Sequence, residues 1–444
     1  MIGRVTLALV LLSALPFGSN RPMWWMLLAL AVFILFALQL LRDTRTGLDR
    51  IALKALAPGF LFLLVIAWSL VQALWVVDDT LAHPAWRFVS SSSSHVSADP
   101  IAGLHHAMRL SAYAMVFWIA MRNSTNARLA ESHLTWIAVS ISLLSAYGIF
   151  ATLTSNNILL GNFASGSVSA SFINRNNYAT FAIIGLVANL ALFLRAGASA
   201  SPDRSSELRD FLEGFFEKNW LFAFGLLICL AGILLSESRA GLASALLGIA
   251  VYFLADRKSG KNYKLVSTLM VGALFSFSLL ALSSGVFARL FAQSGEDARF
   301  LIYPLVIDGI AERPLLGHGL GAFHDAFRIY VPPELARLEV DLAHSSYLEN
   351  AFELGLPAAS IFYGVLLAIT LVILRGSRVR RRNRSFPQFA LAVTVACGFH
   401  ALFDFSMQIP AVAALFAFVL GIGWAQAFPH SERNGVRTKT KAGT

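Results

Sequence analysis

The chain has 444 residues, of which 57% are hydrophobic and only 14% are charged, and its mean hydropathy is +0.66. This composition excludes a soluble globular domain, because the apolar content is too high and the apolar residues form blocks of membrane-spanning length. The net charge of +10 does not indicate a nucleic-acid partner, since the basic residues lie mostly in short loops beside those blocks.

Twelve apolar blocks predict an all-α polytopic membrane protein. The predicted spans cover residues 5–17, 23–41, 55–77, 104–121, 132–153, 178–195, 220–236, 240–255, 265–284, 357–374, 388–405 and 409–427. The first span follows Arg4 as in a signal peptide, but residues 14–18 contain no clear cleavage site, so we expect it to be retained. Cys229 and Cys397 both fall inside spans, which predicts neither a disulfide framework nor a thiolate metal site.

The loop charges predict the orientation of these spans. Basic residues cluster in alternate loops, which places those loops and both termini in the cytoplasm. All seven lysines lie on this side: Lys54, Lys218, Lys258, Lys261, Lys264, Lys439 and Lys441. The opposite side carries only arginine, and guanidinium binds phosphate through two parallel hydrogen bonds where ammonium acts as a point charge.

The spans divide the chain into four parts. Residues 1–284 hold spans one to nine, and residues 285–356 form a large outer loop that contains the main candidate motif. Residues 357–428 hold spans ten to twelve, and residues 429–444 form a basic cytoplasmic tail. A second outer loop, residues 78–103, contains five consecutive serines and is predicted to be flexible, with no chemistry assigned to it.

Two polar segments border the outer ends of spans. Asn174, Arg175 and Asn177 precede span six, where they either bind a sugar hydroxyl or phosphate or simply cap the span. Arg239 lies in the very short connection between spans seven and eight, at or just inside the membrane surface. An arginine there is costly without an anionic partner, so it binds an anion, pairs with Glu237 or extends to lipid headgroups.

The large outer loop carries five arginines and no lysine over residues 285–343. Its glycines at 317, 319 and 321 resemble a dinucleotide loop only superficially, because no βαβ pattern surrounds them, and a tight turn is the better interpretation. His318, His324 and Asp325 match no recognised metal-site spacing, so no metal is predicted.

The strongest motif is residues 343–357, at the junction of the outer loop and span ten. A helix from Ser345 to Leu354 would place Tyr347 and Asn350 on one face and two carboxylates on another, namely Glu349 and Glu353. His344 then stands at the start of the helix, as a general base or as a loop histidine that only caps it.

A further polar pair lies at the end of span eleven. His400 and Asp404 are four residues apart, so a helix would place them on one face near the outer surface. We expect a structural ion pair within the bundle in preference to a role in shaping the site.

The order of these motifs resembles the O-antigen ligase and polysaccharide polymerase superfamily over residues 130–425. The family's ligase pattern starts with histidine and a small polar residue and continues to a glycine, which His344, Ser345 and Gly355 satisfy. The pattern's last position is Gly, Thr or Tyr, and this chain has Ala358 there, a departure that bears more on the lipopolysaccharide ligase branch than on the superfamily.

The resemblance implies metal-independent, inverting glycosyl transfer in the periplasm from an undecaprenyl-diphosphate-linked glycan, without a cofactor. It implies Arg239 and Arg299 as ligands of the diphosphate and His344 as the residue that activates the acceptor hydroxyl. The substrate-binding candidates are Asn174, Arg175, Asn177, Arg313 and Tyr347.

Three activities remain possible from the sequence, and they differ in the molecule that accepts the glycan. It is a second lipid-linked repeat in a polymerase of exopolysaccharide, the lipid A-core in lipopolysaccharide biosynthesis, or a protein side chain in an oligosaccharyltransferase. The competing class is a transporter or flippase of lipid-linked glycan, since twelve spans are common among secondary transporters. Against a transporter, no six-plus-six repeat is visible and few charges lie deep within the spans.

Overall fold

The computed structural model describes residues 1–78, 80–88, 94–161, 166–197, 219–255, 295–332, 340–380 and 382–429. Over these residues the chain forms α-helices and short 3₁₀ turns and no β-strand. The helices are α1 Ile2–Leu12, α2 Pro22–Thr46, α3 Arg50–Leu74, α4 Pro100–Asn123, α5 Ala127–Leu153, α6 Arg175–Gly197, α7 Trp220–Leu235, α8 Arg239–Leu254, α9 Gly295–Glu312, α10 Phe323–Phe327, α11 Ser346–Val379, α12 Ser385–His400 and α13 Pro410–Ala427.

Eleven of the twelve predicted spans overlap one of these helices. The ninth, residues 265–284, lies outside the described residues. Six of the described helices are long and apolar enough to cross a membrane: α2, α3, α5, α6, α11 and α13. The first predicted span is too long at its end, because α1 stops at Leu12. Pro16 follows, and positive φ angles at Phe17 (56°) and Ser19 (57°) turn the chain out of the helix.

Local sequence explains where several helices begin. The Asp49 side chain accepts a hydrogen bond from the backbone nitrogen of Ala52 at 2.8 Å, which caps α3. Asp99 caps α4 in the same way, and proline occupies the first position of α2, α4 and α13, where no backbone N–H is needed.

Helix α13 lies at the centre of the bundle, with all 18 of its residues buried. It packs against α4, α12, α11 and α1. Close approach depends on small residues: a Cβ at Gly421 would lie 2.6 Å from the carbonyl oxygen of Phe117 in α4. By contrast, only 28% of the most apolar window of α2, α3 and α11 is buried, so these helices present apolar side chains outward, as lipid contact requires.

The two ends of the bundle differ chemically. At one end Arg122 pairs with Asp43 at 2.9 Å and with Asp49 at 3.1 Å, and Arg195 pairs with Glu131 at 3.2 Å. We call this the basic end, since it carries the described part of the predicted cytoplasmic charge clusters. We call the opposite end the His344 end, and there α4, α6, α8, α11 and α13 begin.

Candidate active site

The predicted helix before span ten is present and is separate from the span. Helix α11 begins at Ser346 with Ser345 as its N-cap, and it is interrupted at Gly355, where φ is 75° and ψ is 160°. Only glycine adopts this conformation readily, and a Cβ there would lie 2.6 Å from the carbonyl oxygen of Leu315. Residues 346–354 therefore form a short helix of their own that leads from the outer loop into the membrane-spanning part of α11.

His344 directly precedes this short helix and has a positive φ of 53°. Such a conformation costs a non-glycine residue about 1–3 kcal/mol and persists where neighbouring contacts impose it. The Tyr303 hydroxyl donates a hydrogen bond to the His344 carbonyl oxygen at 3.0 Å, and the backbone nitrogen of Ala343 donates to Glu349 at 2.8 Å. The imidazole packs edge-on to the Phe405 ring at 5.3 Å between centroids. The surrounding structure thus fixes the position of His344.

The two predicted faces of the short helix are both present. The buried carboxylates face the outer loop, where Glu349 accepts from Ala343 and Glu353 accepts from the backbone nitrogen of Phe323 at 3.1 Å. On the other face, the Tyr347 hydroxyl donates to the Gly398 carbonyl oxygen at 2.9 Å. Both glutamates are therefore engaged in holding the backbone on either side of the motif, and Tyr347 ties the motif to α12.

Asp404 joins the start of α6 to the start of α11. The Asn176 side chain donates to the Asp404 carboxylate at 2.6 Å, and the Ser346 hydroxyl donates to the Asp404 carbonyl oxygen at 3.0 Å. Asn174 caps α6, because its side-chain oxygen accepts from the backbone nitrogen of Asn176 at 2.7 Å. The segment before span six, which is distant in sequence from His344, therefore lies at the same end of the bundle and next to the same helix start.

Arg175 connects this group to α8. Its guanidinium forms an ion pair with Glu237 at 3.2 Å, two residues before Arg239. Arg239 is the first residue of α8, and Ser238 caps that helix by accepting from Gly241 at 3.1 Å. The N-terminal ends of α6, α8 and α11 therefore lie at the His344 end, with α6 joined to α11 through Asp404 and to α8 through the Arg175–Glu237 pair. Helix N-termini carry partial positive charge and unsatisfied N–H groups, so this end of the bundle favours an anion.

Two predicted substrate ligands have different surroundings. Asn177 is buried, and among the described residues its side-chain oxygen has no hydrogen-bond partner. Arg313 donates three hydrogen bonds to backbone carbonyl oxygens, those of Gly317 at 3.0 Å, Ala82 at 3.0 Å and Leu81 at 2.9 Å. Arg313 thus connects the segment before the glycine-rich turn to residues 81–82 of the other outer loop. Its role toward substrate stays a prediction.

Arg299 belongs to α9, and its side chain lies outside the described part of the structure. Its backbone position is one helical turn before Tyr303, the residue whose hydroxyl contacts the His344 carbonyl oxygen. The structure therefore places the helix that carries Arg299 against the His344 motif.

The glycine-rich segment of the outer loop is a tight turn, as predicted. Gly317, Gly319 and Gly321 all have positive φ angles, of 66°, 104° and 77°. The turn pairs with the end of the short helix, where the backbone nitrogen of Gly319 donates to the Glu353 carbonyl oxygen at 2.9 Å. Gln72 of α3 donates to the same oxygen, also at 2.9 Å. The turn thus supports the helix that follows His344.

The outer loop over residues 78–103, to which no chemistry is assigned from sequence, contacts the large outer loop through His83, while most of its serine run lies outside the described residues. The Ala85 nitrogen donates to His83 Nδ1 at 3.1 Å, so His83 Nε2 carries the proton and donates to His318 Nδ1 at 2.8 Å. His318 Nε2 in turn donates to the Gly309 carbonyl oxygen at 3.0 Å. Burial lowers the pKa of His83 to about 3 and that of His318 to about 4, so both rings stay neutral. Composition does not predict this contact, because the two histidines are 235 residues apart in sequence.

The predicted His400–Asp404 arrangement on one helix face is also wrong. Helix α12 ends at His400, and Asp404 lies beyond the helix. His400 Nδ1 is 3.1 Å from the Thr180 hydroxyl, while the Asp404 carboxylate accepts from Ser406 at 2.8 Å and from Asn176. The turn after His400 separates the two side chains. His400 contacts α6, and Asp404 contacts α6 and the segment before α13.

The three possible metal ligands of the outer loop do not share a site. His318 binds His83, whereas His324 Nδ1 lies 3.1 Å from the Asp341 carboxylate and its Nε2 lies 2.8 Å from Arg328. Within the described residues no group of three or more histidine, cysteine, aspartate or glutamate side chains has the geometry of a metal site.

One family of known proteins matches part of this chain. Residues 224–363 match the family model described as O-antigen ligase, a segment that includes Arg239, the glycine-rich turn and His344. A search of curated proteins returned no match to the chain. Residues 224–363 thus resemble an O-antigen ligase domain, and this match supports the resemblance of the chain to the O-antigen ligase superfamily.

Proposed function

We propose that this protein transfers a glycan from an undecaprenyl-diphosphate carrier to an acceptor hydroxyl, on the periplasmic side of the bacterial inner membrane. The product is a cell-surface polysaccharide, and both termini of the chain lie in the cytoplasm. The observation that carries the proposal is the placement of three helix N-termini, those of α6, α8 and α11, at the His344 end, where Asp404 and the Arg175–Glu237 pair join them. An anion-binding centre next to a histidine suits cleavage of a sugar–diphosphate bond.

The diphosphate of the donor binds at this centre. Arg239 at the first position of α8 and Arg299 in α9 supply guanidinium groups to it. Asn174, Asn177 and Tyr347 provide polar groups for the sugar, and Arg175 contacts substrate from its position beside Glu237. Positive groups fixed before the reaction stabilise the charge that develops on the departing diphosphate, so no metal ion or cofactor is required.

The transfer is a single displacement at the anomeric carbon. The acceptor oxygen forms a bond to this carbon from the side opposite the diphosphate, and His344 takes the hydroxyl proton. The bond between the anomeric carbon and the diphosphate oxygen breaks, and its electron pair leaves with undecaprenyl diphosphate. One displacement inverts the configuration at the anomeric carbon.

A transfer assay identifies the acceptor. Purified protein is given a lipid-diphosphate glycan together with a second lipid-linked repeat, a lipid A-core or a serine-containing peptide. Extension of the first indicates a polymerase, glycosylation of the second a ligase, and modification of the third a protein oligosaccharyltransferase. If none accepts the glycan and the protein instead moves lipid-linked glycan across a vesicle membrane, the proposal is wrong and the protein is a transporter.

Replacement of His344 by alanine tests the base. We expect His344→Ala to reduce the transfer rate by roughly 10²–10⁴-fold, the usual contribution of a general base, while donor binding stays nearly normal because the arginines provide it. His324→Ala is the matched control, since His324 is 41% exposed and pairs with Asp341. Activity of the parent protein should persist in chelator. Intact transfer by His344→Ala would move the search for the base to Glu349 and Glu353.

A further inference from the structure

A polar cavity of about 500 Å³ lies at the basic end of the bundle, opposite the His344 end. The start of α3, the start of α5, the end of α6 and the connection from α11 to α12 form its walls. Eight of the ten described residues that line it are polar or charged. Binding sites for small ligands commonly measure about 300–1,000 Å³, so this cavity has room for a polar molecule or for the head group of a lipid.

Bonds within the bundle hold the walls of this cavity in place. Arg195 pairs with Glu131 of α5 at 3.2 Å and donates to the side-chain oxygen of Asn383 at 3.0 Å. Asp49 caps α3 and pairs with Arg122 at 3.1 Å. Both carboxylates among the described lining residues are therefore compensated by an arginine of the protein, and the cavity is formed without a ligand.

The side-chain groups that remain for a ligand are mainly hydrogen-bond donors. The side-chain oxygen of Asn126 caps α5 by accepting from the backbone nitrogen of Arg128 at 2.8 Å. The side-chain oxygen of Asn383 accepts from Arg195. Because both amide oxygens have these partners, each amide offers a ligand its NH₂ group. Arg128 and Arg382 also line the cavity and are exposed, so their guanidinium groups are accessible to a ligand.

We propose that this cavity binds the phosphate group of a ligand, with Arg128 and Arg382 as its principal contacts. Guanidinium binds phosphate through two parallel hydrogen bonds, and the acceptor oxygens of a phosphate match a lining of donors. The start of α5 adds the partial positive charge of a helix N-terminus. The proposed topology places this end at the cytoplasmic membrane surface, so the phosphate belongs to an anionic lipid head group or to a soluble phosphate ester. The site is separate from His344, and binding does not depend on glycosyl transfer.

Two binding measurements on the purified full-length protein in neutral detergent test the proposal. Native mass spectrometry compares phosphatidylglycerol with a diacylglycerol that has the same acyl chains but no phosphate, and calorimetric titration measures binding of glycerol 3-phosphate. We expect Arg128→Gln and Arg382→Gln each to weaken binding of the phosphate-bearing probe about tenfold. Arg45→Gln is the control, because Arg45 is an exposed arginine of the same end that does not line the cavity. It should leave binding unchanged.

Asn126→Asp separates a built site from general attraction to a basic surface. Aspartate caps a helix as well as asparagine does, so the melting temperature should stay the same. The amide donor becomes a carboxylate that repels phosphate, so binding should fall at least about tenfold. Arg45→Gln changes the net charge by the same amount outside the cavity.

The two probes identify the source of the phosphate. Binding of phosphatidylglycerol supports a lipid ligand, and binding of glycerol 3-phosphate supports a soluble ester. Binding of neither probe, equal binding of diacylglycerol and phosphatidylglycerol, or the same affinity in the parent protein and the three cavity variants would overturn the proposal. Because Arg128 and Arg382 are exposed, their glutamine variants should fold normally.

Discussion

At the scale of single residues, His344 combines a motif visible in the sequence with a conformation that is visible only in the structure. Its position before a short amphipathic helix identifies it as a candidate. Its positive φ of 53°, the hydrogen bond from Tyr303 to its carbonyl oxygen and the bond from the neighbouring Ala343 to Glu349 show that the fold holds it in place. This conformation makes a functional role of His344 a hypothesis, which the alanine variant tests.

The guanidinium groups of Arg239 and Arg299 provide a second test at this scale. If each holds the diphosphate through two parallel hydrogen bonds, lysine keeps the charge but loses the geometry. We expect Arg239→Lys and Arg299→Lys each to cost about 1–3 kcal/mol of transition-state stabilisation, measured from kcat/KM in the transfer assay.

Arg328→Lys is the control for these variants. Arg328 is an exposed arginine of the outer loop and lies beside His324. It should retain the activity of the parent protein. Full activity in both Arg239→Lys and Arg299→Lys, at normal protein level, would remove these two arginines from the site.

At the scale of elements, the contact between α13 and α4 depends on a missing side chain. A Cβ at Gly421 would meet the carbonyl oxygen of Phe117 and the Cβ of Ala120, both at 2.6 Å. Because a carbonyl oxygen of a helix backbone cannot move aside easily, we expect Gly421→Val to lower the free energy of unfolding by about 1–3 kcal/mol. Thermal unfolding in detergent, followed by the melting temperature, measures the effect.

Gly364 in α11 gives a matched control for this substitution. An added Cβ at Gly364 meets no atom within 4 Å. Gly364→Val should therefore unfold at nearly the same temperature as the parent protein. Equal melting temperatures for both valine variants would show that the packing of α13 against α4 does not limit stability.

At the scale of the whole molecule, the two ends of the bundle predict opposite sides of the membrane. Residue 320 lies in the glycine-rich turn at the His344 end, and residue 380 follows α11 at the basic end. A reporter fused after residue 320 should be periplasmic, and one fused after residue 380 should be cytoplasmic, because basic loops remain inside. Paired fusions to a periplasm-active and a cytoplasm-active reporter measure this. Both positions on one side would contradict α11 as a span and the periplasmic location of the site.

The sequence by itself determined the class of the protein, the approximate helices, the break at Gly355 and the His344 motif. These follow from local causes: apolar runs of spanning length, helix-capping residues and a glycine where the chain must turn. The tertiary structure decided which distant residues meet. Asp404 lies beside α6 instead of forming a helical pair with His400, and His83 binds His318 across the outer loops. Such contacts depend on how the helices pack around α13, which no local pattern specifies.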